Sequence, residues 1–401
     1  MRPLLILALA ALPVAAQQPP RQTADDDYTR YELLAPGSAK FRILYEVTAT
    51  TAGATAYFNS IRMGSKASDE QVFDRASGLP LVFAEVGAAE ARAGGMRVNN
   101  EAQRYIKVTL ARAVPPNGGE QRVLILKTYE DTASYFLRGD TLVFTRPLGI
   151  KRNAVVLPVG YELVSSSFPS QVLQEPDGRV GISFWNSTPS EAAVTMKAVR
   201  LKAPFAAAPR REGTTASRLS ERAHQNREIV YFLRQPETHA FDLYHDYTES
   251  RPGVSTYINV VRAGSTVSGP SAVNLDTGEP VPFEVLKGDA ITRAGLDVSN
   301  VTPQTEAVVF RFAAVQPGTS VRLRMSETYT DSVRYTVKDG ELVWDRAFGR
   351  PSNNVVLPAG WALTNSSIPA TVLTRPDGRV QLDFVNGRND EIGVLITARR
   401  R

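Results

Sequence analysis

Apolar and polar residues alternate with a period of two over much of this chain. In residues 106–110, Ile, Val and Leu are separated by Lys and Thr, and residues 321–326 and 333–338 alternate in the same way. This is the pattern of strands with one buried face, and no helical spacing of comparable length competes with it. The pattern predicts an all-β fold.

Turn residues between these segments support the same fold. Asp339-Gly340 separates two alternating segments and has the chemistry of a type I′ hairpin turn. At the corresponding place Gly139-Asp140 has the order reversed, which favours a type II′ turn. Pro-Asp-Gly triplets predict a further hairpin near the end of each half, at residues 176–178 and 376–378.

The second half of the chain repeats the first at a constant offset of 200 residues. Between residues 127–186 and 327–386, 27 of 60 positions are identical without a gap. Repeat 1 covers residues 27–201, repeat 2 covers 227–401, and residues 202–226 between them are rich in Ala, Pro, Arg, Ser and Thr, as in a linker. With roughly ten strands expected in each repeat, we predict two tandem antiparallel β-sandwich domains.

The first residues have the order of a secretory signal. A cationic start is followed by a short apolar run and by small residues near Ala16, so we predict a signal peptide over residues 1–16 that is cleaved. The protein is then exported, to the periplasm or outside the cell. No other segment is long and apolar enough to cross a membrane, so no transmembrane segment is expected in the mature chain.

Net charge is +5, but the linker and the three C-terminal arginines account for all of it. The two folded repeats are therefore close to neutral, and we expect no nucleic-acid partner. The chain has no cysteine, which excludes disulfides, thiolate metal sites and thiol nucleophiles.

Most catalytic motifs are absent from the sequence. The three histidines have no metal-ligand spacing, and no Gly-x-Ser-x-Gly elbow, phosphate loop or dinucleotide fingerprint occurs. We therefore expect no catalytic residue, metal or cofactor. A pair of carboxylates at glycosidase separation remains as an enzymatic alternative.

The motif Tyr-x-Asn-x-x-Arg-x-Gly-Ser occurs once in each repeat. Alternation places the Tyr and the Asn on one strand face, where an aromatic ring and an amide form a polar binding surface. The structural alternative is a core tyrosine with an Asn that satisfies a nearby loop. The candidate residues are Tyr57, Asn59 and Arg62, and Tyr257, Asn259 and Arg262.

A second group of candidates is basic. Arg146, Lys151 and Arg152 lie within seven residues of one another, and repeat 2 retains Arg346 at the position of Arg146. Such a cluster suits an anionic ligand in repeat 1, and a solvated loop is the alternative. Asp131, and Asp331 in repeat 2, follow Thr-Tyr and are interpreted as caps of the next turn.

Tyr161 and Trp361 occupy equivalent positions after Pro-x-Gly. Each is either an anchor of the sandwich or an exposed ring on which a sugar stacks.

The strand, the Pro-Pro-Asn-Gly-Gly turn and the next strand in residues 108–129 are similar in outline to the non-catalytic N-terminal β-sandwich domain of zinc aminopeptidases. The metal-binding His-Glu-x-x-His of those enzymes is absent, so the resemblance implies the sandwich without the enzyme.

These observations lead to one expected function and two alternatives. The expected function is an exported non-catalytic protein whose paired sandwiches bind or scaffold a polysaccharide or an envelope protein, with the linker allowing bivalent engagement. The alternatives are a glycan-active hydrolase with a carboxylate pair and a purely structural component of the envelope.

Overall fold

The structure is a computed structural model that describes residues 20–188, 190–202, 220–225 and 227–401. The predicted signal peptide and most of the predicted linker lie outside the described residues. Among these residues there are 28 strands, 14 in each repeat, where roughly ten were expected.

The 14 strands of repeat 1 are β1 (Ala24–Leu33), β2 (Lys40–Ala49), β3 (Ala56–Ser60), β4 (Lys66–Asp74), β5 (Phe83–Val86), β6 (Tyr105–Thr109), β7 (Gln121–Glu130), β8 (Tyr135–Arg138), β9 (Thr141–Leu148), β10 (Arg152–Val156), β11 (Tyr161–Ser166), β12 (Gln171–Gln174), β13 (Val180–Trp185) and β14 (Ala192–Arg200). Those of repeat 2 are β15 (Arg227–Leu233), β16 (Ala240–Glu249), β17 (Thr256–Val260), β18 (Thr266–Asn274), β19 (Phe283–Lys287), β20 (Glu306–Arg311), β21 (Val321–Thr330), β22 (Tyr335–Lys338), β23 (Glu341–Phe348), β24 (Ser352–Val356), β25 (Trp361–Ser366), β26 (Thr371–Thr374), β27 (Val380–Val385) and β28 (Ile392–Arg400). Short helices α1 (Ala88–Ala93) and α2 (Asp289–Arg293) occupy equivalent places, and a 3-10 turn covers Pro236–Thr238.

Both repeats have the same three sheets, which confirms the all-β tandem fold. In repeat 1 the strand orders are β12-β13-β10-β1-β2-β7-β4, β11-β14-β9-β8 and β3-β6-β5. Repeat 2 has the orders β26-β27-β24-β15-β16-β21-β18, β25-β28-β23-β22 and β17-β20-β19. Pairing is antiparallel throughout, with two exceptions: β1 pairs parallel with β10, and β15 with β24.

Each core lies between the seven-stranded and the four-stranded sheet. In repeat 1 the ring of Phe41 on β2 meets that of Phe144 on β9 edge-on, with centroids 5.7 Å apart. In repeat 2 Phe241 on β16 meets Trp344 on β23 at 4.7 Å, also edge-on. All four rings are fully buried, so each contributes roughly 1.5–3 kcal/mol of burial free energy.

The predicted hairpin turns are confirmed by their backbone angles. Asp339 and Gly340 both have positive φ, 52° and 78°, as a type I′ turn between β22 and β23 requires. Only Gly139 of the Gly139-Asp140 pair has positive φ, 59°, which matches a type II′ turn between β8 and β9.

The two repeats contact each other through buried ion pairs. Arg122 at the start of β7 donates two hydrogen bonds of 2.8 Å to the carboxylate of Asp276 in repeat 2. At the equivalent place in repeat 2, Arg322 pairs with Glu120 at 2.9 Å. An arginine of each repeat thus binds an acidic side chain of the other repeat, as in an approximate two-fold arrangement.

The described end of the linker is fixed by both repeats. Arg152 of repeat 1 donates to the carbonyl oxygen of Ala223 at 3.1 Å. Arg222 donates to the carbonyl oxygens of Gly349, at 2.9 Å, and Asn386, at 3.3 Å, in repeat 2. Residues 222–224 of this segment form a turn, and the segment ties the two repeats together.

Candidate functional site

Four of the residue positions suggested by the sequence line one cavity in each repeat. Tyr57, Asn59, Arg62 and Arg146 line a cavity of about 640 Å³, the repeat 1 cavity. Their counterparts line an equivalent cavity of about 200 Å³, the repeat 2 cavity: Tyr257, Asn259, Arg262 and Arg346. Residues from the seven-stranded sheet, the three-stranded sheet and the loop after β9 or β23 complete both linings.

Strand β3 brings the Tyr and the Asn of the motif to the same face, as its alternation predicts. Tyr57 is buried, and its hydroxyl lies 3.4 Å from that of Tyr45 on β2. The Oδ1 atom of Asn59 accepts a hydrogen bond of 2.6 Å from the Nζ of Lys127 on β7. The amide and the lysine therefore form one polar pair in the cavity wall.

Arg62 follows β3 and borders the same cavity. Its backbone N–H donates to the hydroxyl of Tyr129 at 3.2 Å, and its guanidinium donates to the carbonyl oxygen of Pro147, also at 3.2 Å. No carboxylate of the described residues lies within 4 Å of this guanidinium. In repeat 2, by contrast, Arg262 pairs with Glu391 at 3.5 Å.

Arg146 is neutralised by the protein itself. Its guanidinium lies 3.1 Å from the carboxylate of Asp131, which also accepts hydrogen bonds from the Ser65 and Ser134 hydroxyls. Burial alone raises the pKa of Asp131, but these hydrogen bonds and Arg146 outweigh it and lower that pKa. The backbone N–H groups of Ala133 and Ser134 also donate to Asp131, so its predicted role as a turn cap is seen directly.

The same network recurs in repeat 2. Asp331 is fully buried and accepts from Arg346 at 2.8 Å, from the Ser265 hydroxyl at 2.9 Å and from the backbone N–H of Arg334 at 3.0 Å. Arg346 and Ser265, which come from two different sequence motifs, therefore bind the same carboxylate. This shared contact holds the arginine in the cavity wall.

Lys127 is a residue of the repeat 1 cavity lining that the sequence motifs missed. Its side chain is 5% exposed, and no carboxylate of the described residues lies within 4 Å of its Nζ, which sits 4.9 Å from the centre of the Tyr129 ring. Burial lowers its pKa from 10.5 to about 8, with Glu70 raising and Arg146 lowering it. A signal was present in the sequence: Lys127 lies in the inward register of β7, between Ile125 and Tyr129.

The linings of the two cavities differ at seven equivalent positions, and three of these changes bring a different titratable side chain into repeat 2. Glu327 stands in place of Lys127, His245 in place of Tyr45, and Arg350 in place of Ile150.

Arg350 lies across the repeat 2 cavity. It donates to the Nε2 of His245 at 2.9 Å and to the hydroxyl of Tyr257 at 3.3 Å. Burial, with Arg350 beside it, holds the pKa of His245 well below its usual range, so the ring is neutral and accepts the hydrogen bond. We attribute the smaller volume of this cavity to the arginine side chain.

Glu327 is held in the wall of the same cavity. The Nδ2 of Asn259 donates to its carboxylate at 2.7 Å and to the Tyr329 hydroxyl at 3.1 Å. Burial raises the pKa of Glu327.

The other basic candidates are not brought together with Arg146. Arg152 is 1% exposed and belongs to the contact with the linker described above. The Nζ of Lys151 lies 3.5 Å from the carboxylate of Glu228 in repeat 2. Arg152 therefore contacts the linker and Lys151 contacts repeat 2, and neither residue lines the repeat 1 cavity.

The two aromatic candidates take structural positions. Trp361 is 3% exposed; its Nε1 donates to the side chain of Gln235 at 3.0 Å, and Arg400 lies over its ring. Tyr161 is half-buried and packs against the core of repeat 1. Neither position presents a fully exposed ring for stacking.

Within the residues that the structure describes, no group of three or more His, Asp or Glu side chains is placed to hold a metal ion. The helices found there are also too short and too polar to cross a membrane.

No known protein family matches this sequence, and no curated protein does. Among solved structures, the M1 zinc metallopeptidase from Deinococcus radiodurans aligns with a TM-score of 0.30 and 10% identity, over 45% of this chain and 42% of that one. A putative nutrient binding protein from Legionella pneumophila aligns with a TM-score of 0.27 and 8% identity, over 45% of this chain and 67% of that one. This chain spans less than half the length of the metallopeptidase.

Proposed function

We propose that this is an exported, non-catalytic binding protein whose working site is the repeat 1 cavity. The observation that carries the proposal is that the Tyr-x-Asn-x-x-Arg motif, met twice in the sequence, lines a cavity in both repeats, and that only repeat 1 has a volume suited to a small ligand. Export rests on the charged, apolar and small-residue order of residues 1–16.

The proposal does not include bivalent binding by two independent modules. Buried ion pairs and residues 220–225 join the repeats, so they do not act as two modules on a free tether. Repeat 1 offers the larger cavity, and repeat 2, whose cavity is smaller, is held against it. The ligand we consider first is a sugar unit of a polysaccharide, since tyrosine hydroxyls and an amide line the site.

The test is binding of the purified protein to a panel of cell-wall and surface polysaccharides and their oligosaccharides, with each bound sample checked for cleavage products. Saturable binding without products supports the proposal. Ile150→Arg, which copies Arg350, should close the repeat 1 cavity and remove that binding, while Arg350→Ile should leave it. Binding that survives Ile150→Arg places the ligand elsewhere and contradicts the proposal.

One observation favours the glycan-active hydrolase as a second candidate. The repeat 2 cavity holds two carboxylates, Glu327 and Glu391, and burial raises the pKa of Glu327, as a general acid requires. Product release that is lost in Glu327→Gln would establish the enzyme. If nothing binds and nothing is cleaved, the structural role in the envelope is the remaining alternative.

A further inference from the structure

The two cavities have the same motif tyrosine, asparagine and arginine positions, but they differ in the charged residues around them. Among the lining residues of repeat 1, Arg62, Lys127 and Arg146 are cationic and Glu191 is anionic. Asp131 neutralises Arg146, which leaves one positive charge in surplus. In repeat 2 the three arginines of the lining face two carboxyl groups of the same lining, Glu327 and Glu391, and Asp331 pairs with both Arg346 and Arg334.

In repeat 2 the motif asparagine already binds a carboxyl group, which belongs to the protein itself. The Nδ2 of Asn259 donates to the side chain of Glu327, so a carboxyl group is bound inside the cavity by the motif asparagine. In repeat 1 the equivalent position is Lys127, and Asn59 turns its Oδ1 to the ammonium. No described residue accepts a hydrogen bond from the Nδ2 of Asn59, so this donor is available to a ligand.

We infer that the repeat 1 cavity binds the carboxylate of a small organic acid, with Lys127 and the Nδ2 of Asn59 as its partners and Arg62 as the second cation. The inference rests on the proposed function and names the ligand class of the same cavity. A buried ammonium without a carboxylate is costly, and an incoming anion supplies the missing partner. Glu70 acts on Lys127 only from outside the lining, and it lies beyond 4 Å of the Nζ.

A single negative charge fits best. The surplus of one positive charge is matched by a monoanionic carboxylate, whereas a phosphate dianion would leave an uncompensated buried charge. The rest of the acid then contacts the tyrosine side chains of the wall: Tyr31, Tyr45, Tyr57 and Tyr129.

The experiment is calorimetric titration of the purified protein at pH 7 with two acids and their neutral counterparts: galacturonate against galactose, and benzoate against benzamide. We expect one site for an acid, at least tenfold weaker binding of its neutral counterpart, and at least a tenfold loss of acid affinity in Lys127→Met. Lys127→Arg should retain acid binding in part. Binding of galacturonate would identify a sugar acid as the ligand, and binding of benzoate would identify another kind of organic acid.

Lys66→Met is the matched control, because the side chain of Lys66 is 83% exposed and lies outside the cavity. It should leave acid affinity unchanged, and circular dichroism should show that all variants are folded. If neutral counterparts bind as tightly as the acids, or if Lys127→Met keeps full acid affinity, the inference is wrong while the cavity remains a binding site. If no acid, neutral compound or polysaccharide binds at millimolar concentration, the inference and the proposed function both fail.

Discussion

At the scale of single residues, the repeat 1 cavity contains a buried lysine, Lys127, whose ammonium donates to the motif asparagine Asn59. The repeated Tyr-x-Asn-x-x-Arg motif pointed to the cavity because strand alternation fixes which side chains share a face. Lys127 was missed, because a lysine in a strand is ordinarily solvated, whereas this one is buried and contacts Asn59 on β3 and the ring of Tyr129. Trp361 shows the converse, a candidate platform that the structure places in the core.

Burial of the Lys127 ammonium should lower the free energy of unfolding of the protein when no ligand is bound. Below pH 8 Lys127 is charged in both states, so the penalty is fully present; between about pH 8 and pH 10.5 the unfolded chain binds more protons, and stability rises with pH. Lys127→Met should therefore raise the free energy of unfolding at pH 7 by about 2–3 kcal/mol and flatten this rise. Urea unfolding at pH 7, 9 and 10 measures both, with Lys66→Met as control. A loss of stability in Lys127→Met would show that the lysine is a structural residue.

The buried Arg346–Asp331 pair should behave in the opposite way. Hydrogen bonds from the Arg334 backbone and Ser265, together with Arg346, outweigh burial and lower the pKa of Asp331. The contribution of the Asp331 carboxylate to the free energy of unfolding is fully present above the pKa of the unfolded state, roughly 3.9. It is lost as the pH falls through the lower pKa of the folded state. Asp331→Ala leaves the arginine uncompensated and should cost about 3–5 kcal/mol at pH 7. Chemical unfolding of the variant at pH 7 and pH 3 checks this, and a loss that is equal at both values would contradict it.

At the scale of strands and turns, features set by adjacent residues could be predicted from the sequence. Pairings between strands that lie far apart in the chain could not. The turns at Asp339-Gly340 and Gly139-Asp140 were predicted with their type because two adjacent residues determine it. Short strands such as β5 and β12, of four residues each, show too little alternation to be recognised, so fewer strands were expected than are present. The parallel pairing of β1 with β10 joins residues more than 120 positions apart, and no pattern along the chain reports it.

The loop after β23 controls the repeat 2 cavity through Arg350. Removing that side chain in Arg350→Ile takes away the cation beside His245, while the burial of the ring remains. The pKa of His245 should rise toward its usual value and still stay below it. An NMR titration of the imidazole resonances, assigned with His245→Gln, measures the shift. An unchanged pKa would show that Arg350 does not act on the ring.

At the scale of the whole molecule, the duplication predicts two similar domains but not how they meet. The contact uses Arg122 and Arg322, which occupy the same position in each repeat yet bind different acidic residues, Asp276 and Glu120. Sequence comparison of the repeats aligns these arginines without revealing that they cross to the other repeat. The contact fixes the repeat 2 copy against the repeat that holds the open cavity.

This contact should make the protein unfold as one unit. In Asp276→Ala, Arg122 is left buried without its carboxylate, and we expect a loss of about 3–5 kcal/mol because a desolvated charge has lost its partner. The single calorimetric transition of the unmodified protein should then separate into two, one for each repeat. The double variant Arg122→Ala with Asp276→Ala should recover part of the loss, since it removes the unpaired charge. If Asp276→Ala unfolds in one transition at an unchanged temperature, the ion pairs do not couple the repeats, and the bivalent arrangement on a linker becomes the better description.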